Sequence, residues 1–137
     1  MVTPIRIVVV DAHEMVRRSL AMSMELFDDL ELVGQVGNGK RGLALCAELA
    51  PDVVITELQL PDLDGVFFTS WITDNCPQTK VIVLDTLEPG KEVEAVLQAG
   101  AAKYLVKEIS INELAGAIRE VVYETGYPQM DNTTGVS

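Results

Sequence analysis

The chain has 137 residues, 48% of them hydrophobic, and a net charge of −11 with a pI near 4.3. This length fits one domain with a substantial core, and such an acidic balance argues against direct binding of nucleic acid, which needs clustered Lys and Arg. Cys46 and Cys76 lack metal-ligand or disulfide-framework spacing, and the first apolar run has only six residues, too few for a signal peptide or membrane helix. We therefore expect a cytoplasmic protein without membrane contact.

Short apolar runs alternate along the chain with segments of helical periodicity. Runs of a few Val, Ile and Leu residues are too short for helices and indicate strands buried on both faces. The predicted strands cover residues 5–10, 30–36, 53–56, 81–84 and 104–106. The predicted helices cover residues 14–27, 40–49, 66–73, 91–98 and 111–125. Five βα units predict an α/β protein with a flavodoxin-like architecture: a five-stranded parallel sheet of order 2-1-3-4-5 with helices on both faces.

Helix faces and caps can also be predicted from local patterns. The first helix has an apolar stripe flanked by further apolar positions, and its members are Met15, Ser19, Met22 and Leu26, with Val16 and Leu20 beside them. Asp62 and Asp64 are interpreted as turn formers and helix caps. Ser110 is expected to cap the last helix, with Glu113 completing a capping box.

The end of the sequence differs in composition from the rest. Residues 127–137 mix Gly, Pro, Asn and Thr and lack a periodic apolar face. We therefore predict a domain over residues 1–126, followed over 127–137 by a flexible tail or the start of a linker to an output domain.

Charged residues stand where four of the predicted strands end. They are Asp11, Glu57, Asp85 and Lys107. In open parallel sheets the ligand crevice lies at the carboxyl ends of the strands, close to the point where the strand order reverses. We therefore expect three acids and one lysine to converge on a functional site at one edge of the sheet.

Several segments together resemble the receiver domain of two-component response regulators, in particular the NarL/FixJ branch. They are IRIVVVDAH at residues 5–13, PDVVITE at 51–57, PDLDG at 61–65 and AGAAKYLVKE at 99–108. The resemblance extends from Ile5 to about Gly126. It implies a signalling domain rather than an enzyme, a sensor kinase as a possible partner and Mg²⁺ as the cofactor.

The resemblance assigns roles to individual positions of this chain. Asp11 matches the first metal-binding acid, Lys107 the lysine that ends the fifth strand, and Tyr104 the aromatic switch residue. In that family two acids follow the first strand, an Asp that ends the third accepts the phosphoryl group, and a Thr or Ser ends the fourth.

Three positions depart from that pattern. Ala12 replaces the second metal-binding acid, Glu57 replaces the phosphoryl-accepting Asp, and Asp85 replaces the Thr or Ser. The remaining metal ligands are Asp11, Glu57 and the carbonyl of Gln59, so we expect Mg²⁺ binding to be weak or lost.

Glu57 carries its carboxylate about one methylene, or ~1.5 Å, farther out than Asp. A misplacement of a reacting group by about 1 Å can slow a reaction that depends on exact positioning on the order of 10²-fold. The same extension makes Glu57 a partial mimic of a phosphoryl group, able to pair with Lys107, although a salt bridge without any signalling role explains it equally well. Asp85 would repel a phosphoryl oxygen and so opposes phosphorylation independently.

Three functions follow from these residues. The first is a degenerate receiver that acts without phosphorylation as a regulatory and dimerisation module of a transcription regulator. Its homodimer face would be the fourth helix, fifth strand and fifth helix, around Glu92, Glu94, Lys103 and Glu113. The second is a working switch in which Glu57 accepts the phosphoryl group beside a weak Mg²⁺ site. The third is a small metal-dependent phosphohydrolase, which Ala12 disfavours because it removes a metal ligand.

Overall fold

The computed structural model describes residues 3–86 and 90–123. Its sheet contains five parallel strands in the order β2-β1-β3-β4-β5, as predicted. The strands, in chain order, are β1 (Ile5–Val10), β2 (Leu30–Val36), β3 (Val53–Thr56), β4 (Lys80–Asp85) and β5 (Lys103–Val106). The register between β1 and β2 shifts after Ile7, where Val8 pairs with Gly34. The flavodoxin-like fold expected from the alternation of strands and helices is thereby confirmed.

Five helices alternate with the strands. They are α1 (Glu14–Met24), α2 (Gly39–Leu49), α3 (Gly65–Asn75), α4 (Lys91–Gln98) and α5 (Ile111–Tyr123). Two helices end at other residues than predicted. The first, α1, ends three residues earlier, in a tight turn, and α3 ends two residues later. The predicted end of α5 near residue 125 and the predicted tail over 127–137 lie outside the described residues. No helix in the described part of the chain is long and apolar enough to span a membrane.

Alternate strand residues point to opposite faces of the sheet and build two cores. Ile7 and Val9 of β1 pack on one face with Met24 of α1 and with α5. Val8 and Val10 pack on the other face with helices α2, α3 and α4. All four β1 side chains are fully buried, as expected for a central strand of a parallel sheet covered on both faces.

The predicted caps are present. Asp64 accepts a hydrogen bond from the N–H of Val66 at the start of α3, and Asp62 accepts two from the first amides of α2. Ser110 and Glu113 exchange two hydrogen bonds of 3.0 Å as a capping box at the start of α5. These side chains satisfy backbone amides at the starts of α2, α3 and α5.

The predicted apolar stripe of α1 faces outward. Met15, Met22 and Leu26 are 75%, 72% and 73% exposed, whereas Met24 is buried in the core and Leu20 packs against it. The prediction for this stripe is therefore wrong. The helix has two adjacent apolar stripes, and the one containing Leu20 and Met24 packs against the sheet.

Candidate functional site

The carboxyl edge of the sheet brings the four charged strand-end residues together in one region. Asp11 and Glu57 directly follow β1 and β3, Asp85 is the last residue of β4, and Lys107 directly follows β5. The three acids are buried, with 4%, 6% and 8% of their surfaces exposed. Backbone hydrogen bonds continue the sheet into this edge: Glu57 donates to the carbonyl of Val10, and Lys107 donates to that of Asp85. The edge thus continues the hydrogen-bond pattern of the sheet.

The ammonium group of Lys107 is the positive centre of the site. Its Nζ lies 3.0 Å from Oδ2 of Asp11 and 3.4 Å from Oε2 of Glu57. Burial by itself would lower the pKa of Lys107, but the hydrogen bond and charge of Asp11, followed by those of Glu57, raise it above the ordinary lysine value. The lysine therefore stays charged and bridges two buried carboxylates.

The Glu57 carboxylate reaches across the edge to the loop after β1. Its Oε1 accepts a 2.8 Å hydrogen bond from the backbone N–H of Ala12. Its Oε2 lies near both Lys107 and the imidazole Nδ1 of His13, which is 3.5 Å away. Both carboxylate oxygens are therefore engaged by groups of this chain.

Asp85 occupies the same edge but connects two loops. Its Oδ2 accepts a 2.7 Å hydrogen bond from the N–H of Leu58, and its Oδ1 accepts one of equal length from Thr86. The carboxylate therefore ties the end of β4 to the loop that follows β3. Tyr104 lies half-buried in β5 and packs against the core formed with α2, α3 and α4.

The loop between β3 and α3 lies beside the ion cluster. Exposed Gln59 pairs through its backbone with Asp64, and Gly65 donates a 2.7 Å hydrogen bond to the carbonyl of Leu58. A Cβ at Gly65 would lie 2.2 Å from that carbonyl oxygen, so glycine is required for this close approach. An open groove of about 720 Å³ runs from this loop to Glu92 of α4.

The residues expected on the dimer face lie on α4, β5 and α5. Glu92 and Glu94 are exposed on α4. Lys103 is already paired with Glu120 of α5, and Glu113 belongs to the capping box. Two of the four residues thus have partners within the chain.

Two contributors to the site had not been predicted. The first is His13, the residue directly before α1, whose Nδ1 lies 3.0 Å from Oδ1 of Asp11. The second is the amide of Ala12, a position interpreted only as the loss of an acid. The position of His13 two residues after Asp11 is the sequence signal for the first contributor. The amide of Ala12 has no sequence signal, because every residue except proline carries a backbone N–H.

A doubly wound parallel sheet with an acid and lysine cluster at its carboxyl edge defines the receiver class of signalling domain. The family model for the response regulator receiver domain matches residues 7–119. The chain belongs to this family, which serves two-component signal transduction. Response regulators are typically signalling proteins rather than enzymes.

Individual relatives support the same grouping. The chain is 36% identical over 128 residues to the transcriptional regulatory protein LiaR of Bacillus subtilis, covering 93% of this chain and 60% of that protein. It is 37% identical over 116 residues to the response regulator protein VraR of Staphylococcus aureus, covering 85% of this chain and 56% of that protein. The chain thus spans less than two thirds of the length of these relatives.

Solved structures of similar fold include other response regulators. A DNA-binding response regulator of the LuxR family from Staphylococcus aureus superposes with a TM-score of 0.80 at 26% identity, covering 85% of this chain and 97% of that chain. The response regulator domain of Thermotoga maritima CheB gives 0.81 at 26% identity, covering 88% and 97%. Both likenesses extend over most of this chain.

Receiver domains bind Mg²⁺ in an acidic pocket, and this chain has Asp11 and Glu57 there. The ligand set fits Mg²⁺ poorly. Ala12 offers no side-chain oxygen, and the Lys107 ammonium already takes one oxygen of each remaining carboxylate. Mg²⁺ needs near-ideal octahedral oxygen coordination, which two carboxylates shared with an ammonium supply badly.

Proposed function

We propose that this chain is an atypical receiver domain whose conformation is set by its own ion cluster and not by phosphorylation. One observation carries the proposal: the Glu57 carboxylate, which stands where the family has its phosphoryl acceptor, is already bound on both oxygens. Ala12 donates to Oε1 at 2.8 Å, and Lys107 lies 3.4 Å from Oε2. A nucleophilic carboxylate needs a free oxygen aligned with the incoming phosphorus. The contacts with Ala12 and Lys107 instead hold both oxygens of Glu57 against groups of this chain.

Two further features oppose phosphoryl transfer. The extra methylene of Glu57 moves its oxygens by about 1.5 Å, enough to lose on the order of 10²-fold in a positioned reaction. Asp85 holds a buried carboxylate where the resemblance places a hydroxyl that would bind a phosphoryl oxygen. A second negative charge at that position repels the group that the site would have to accept.

The ion cluster also provides part of the negative charge and hydrogen-bond acceptors that a phosphoryl group would provide. A phosphate carries about −1.5 to −2 charges and three acceptor oxygens, whereas Glu57 carries −1 and two oxygens. Its ion pair with Lys107 therefore imitates the contact between phosphate and lysine in weaker form. We propose that this pair holds the domain permanently in one signalling state.

The test is intact-mass analysis after incubation of the chain with Mg²⁺ and acetyl phosphate. The control is the triple variant Ala12→Asp, Glu57→Asp, Asp85→Thr, which restores the family pattern at all three positions. We expect one phosphoryl group on the variant and none on the natural chain. Labelling of the natural chain would overturn the proposal and favour the working switch with Glu57 as acceptor.

We further propose that the domain forms homodimers through α4, β5 and α5. Exposed Glu92 and Glu94 give this face its charge, while Lys103 and Glu113 stay within their own chain. Sedimentation should show a dimer that the Glu92→Arg, Glu94→Arg double variant weakens at least tenfold. The matched control is Met22→Gln, Leu26→Gln on the exposed stripe of α1. Loss of the dimer in the control alone would place the interface on α1.

The whole protein is proposed to be a cytoplasmic transcription regulator of which this domain is the input half. The support is the likeness to LiaR, named a transcriptional regulatory protein, and the partial coverage of its length. A sensor kinase is the partner implied by the family. The gene sequence after residue 137 tests this proposal, because a DNA-binding domain encoded there is the expected finding and its absence would contradict it.

A further inference from the structure

The groove between the β3–α3 loop and the start of α4 combines an apolar floor with an acidic rim. Its volume is about 720 Å³, and Val66 of α3 and Ala95 of α4 are among the residues that line it. We propose that this groove binds a short basic segment of a partner protein, in which an apolar side chain is flanked by lysine or arginine. The proposal does not depend on whether Glu57 accepts a phosphoryl group.

Apolar side chains from the loop, α3 and α4 form the floor of the groove. They are Leu58, Leu60, Leu63, Val66 and Ala95. The first two are buried in the core, whereas the other three are half-buried and keep part of their apolar surface accessible. Removal of apolar surface from water is the main favourable contribution to most protein associations. The floor therefore offers an anchor point for an apolar side chain of a ligand.

Three acids surround this floor, and they are Asp62, Asp64 and Glu92. All three are exposed, and the described residues that line the groove include no lysine or arginine. Desolvation by itself would raise the pKa of Asp62, but hydrogen bonds from the backbone N–H groups of Lys40 and Gly39 lower it below the ordinary value. The rim is therefore negatively charged and complementary to the side chains of lysine and arginine.

Hydrogen bonds hold the loop wall of the groove in place. The N–H of Leu60 donates a 3.2 Å hydrogen bond to the carbonyl of Leu63, and the N–H of Gly65 donates one of 2.7 Å to the carbonyl of Leu58. Leu58 in turn donates to the buried carboxylate of Asp85, which connects the wall to the end of β4. A partner that binds a wall formed in advance is spared the cost of ordering this loop.

The charge of the whole chain distinguishes among the possible occupants. The net charge is −11, so a second copy of this chain would bring further negative charge to an acidic rim, as would a nucleic acid or an anionic membrane. A basic protein segment brings the opposite charge together with an apolar side chain. Its long lysine and arginine side chains can reach the exposed rim while the apolar side chain between them covers the floor.

The experiment is an NMR titration of the full ¹⁵N-labelled chain with two peptides capped at both ends. The first peptide has one leucine between two lysines on each side, and the second has glycine in place of the leucine and the same charge. We expect the leucine peptide to bind at least tenfold more tightly, because only its central side chain can bury apolar surface on the floor. The largest amide shifts should occur within residues 58–66 and 92–95.

Matched variants separate the groove from general attraction to an acidic protein. Ala95→Arg places a long cation in the groove and should weaken binding of the leucine peptide at least tenfold. Ala47→Arg makes the same change at an exposed position of α2 outside the groove and should weaken it less than twofold. Glu92→Gln should weaken binding about threefold. Glu94→Gln, an equal change on the same helix and on the proposed dimer face, should leave it unchanged. Circular dichroism verifies that each variant is folded.

Equal affinities for the two peptides, or equal losses in Ala95→Arg and Ala47→Arg, would overturn the proposal. Amide shifts spread over the whole acidic surface would do the same. Shifts of the groove amides when the chain is concentrated without peptide would assign the groove to a second copy of the chain and would also contradict the proposal.

Discussion

The backbone N–H of Ala12 donates a 2.8 Å hydrogen bond to Oε1 of Glu57. These are two of the three positions at which the chain departs from the receiver pattern, and the contact shows how they fit each other. The longer Glu side chain reaches the loop after β1, where a methyl group stands in place of a carboxylate. An acid at position 12 would set a second negative charge beside Oε1 of Glu57. Because Ala12 carries no charge, the longer Glu57 side chain can reach this loop without repulsion.

Lys107→Met should lower the free energy of unfolding at pH 7 by about 2 kcal/mol. The substitution leaves Asp11 and Glu57, both buried, without the cation that compensates them, and breaking buried pairs costs a few kcal/mol. Urea unfolding measures the change. Lys103→Met removes the more exposed pair with Glu120 and should cost under about 1 kcal/mol. A loss in Lys103→Met as large as that in Lys107→Met would contradict this account of the site.

Above neutral pH, the stabilisation from Lys107 should decrease only beyond about pH 10. Because its pKa is raised in the folded chain above the ordinary lysine value of 10.5, the charged form favours folding. That contribution is fully present below about pH 10 and disappears as the pH rises through the raised pKa. The stability difference between the natural chain and Lys107→Met should therefore stay constant from pH 7 to about pH 10 and then shrink. A difference that does not shrink above about pH 10 would mean that the pKa is not raised.

Two methionines of one helix should differ sharply in their effect on stability. Met24→Ala empties a fully buried position and should cost about 2–5 kcal/mol. Met22→Ala removes a side chain that is 72% exposed and should change stability by less than about 0.5 kcal/mol. Chemical denaturation of the two variants compares them directly, each serving as the other's control. Equal losses would show that the stripe containing Met22 is covered in solution.

The same helix marks the limit of what could be predicted from the sequence. The strands, their order and the converging edge residues were predictable because buried parallel strands have short, uninterrupted apolar runs. Periodicity also located α1, but Met15 and Met22 form one apolar stripe while Leu20 and Met24 form another. Nothing local distinguishes the two, since the choice depends on how the helix packs against β1 and α5. The contact of the His13 imidazole with Asp11 likewise depends on side-chain directions in three dimensions.

Asp85→Ala should destabilise the domain by about 1–3 kcal/mol and loosen the loop after β3. The buried N–H of Leu58 loses its 2.7 Å acceptor, and an unsatisfied buried donor carries that cost. Hydrogen exchange should become faster at the amides of Leu58 and Thr86, the two donors to this carboxylate, and stay unchanged in the centre of β1. Asp85→Asn keeps one side-chain oxygen as an acceptor and should retain part of the protection. Unchanged exchange at Leu58 in Asp85→Ala would show that this carboxylate does not hold the loop.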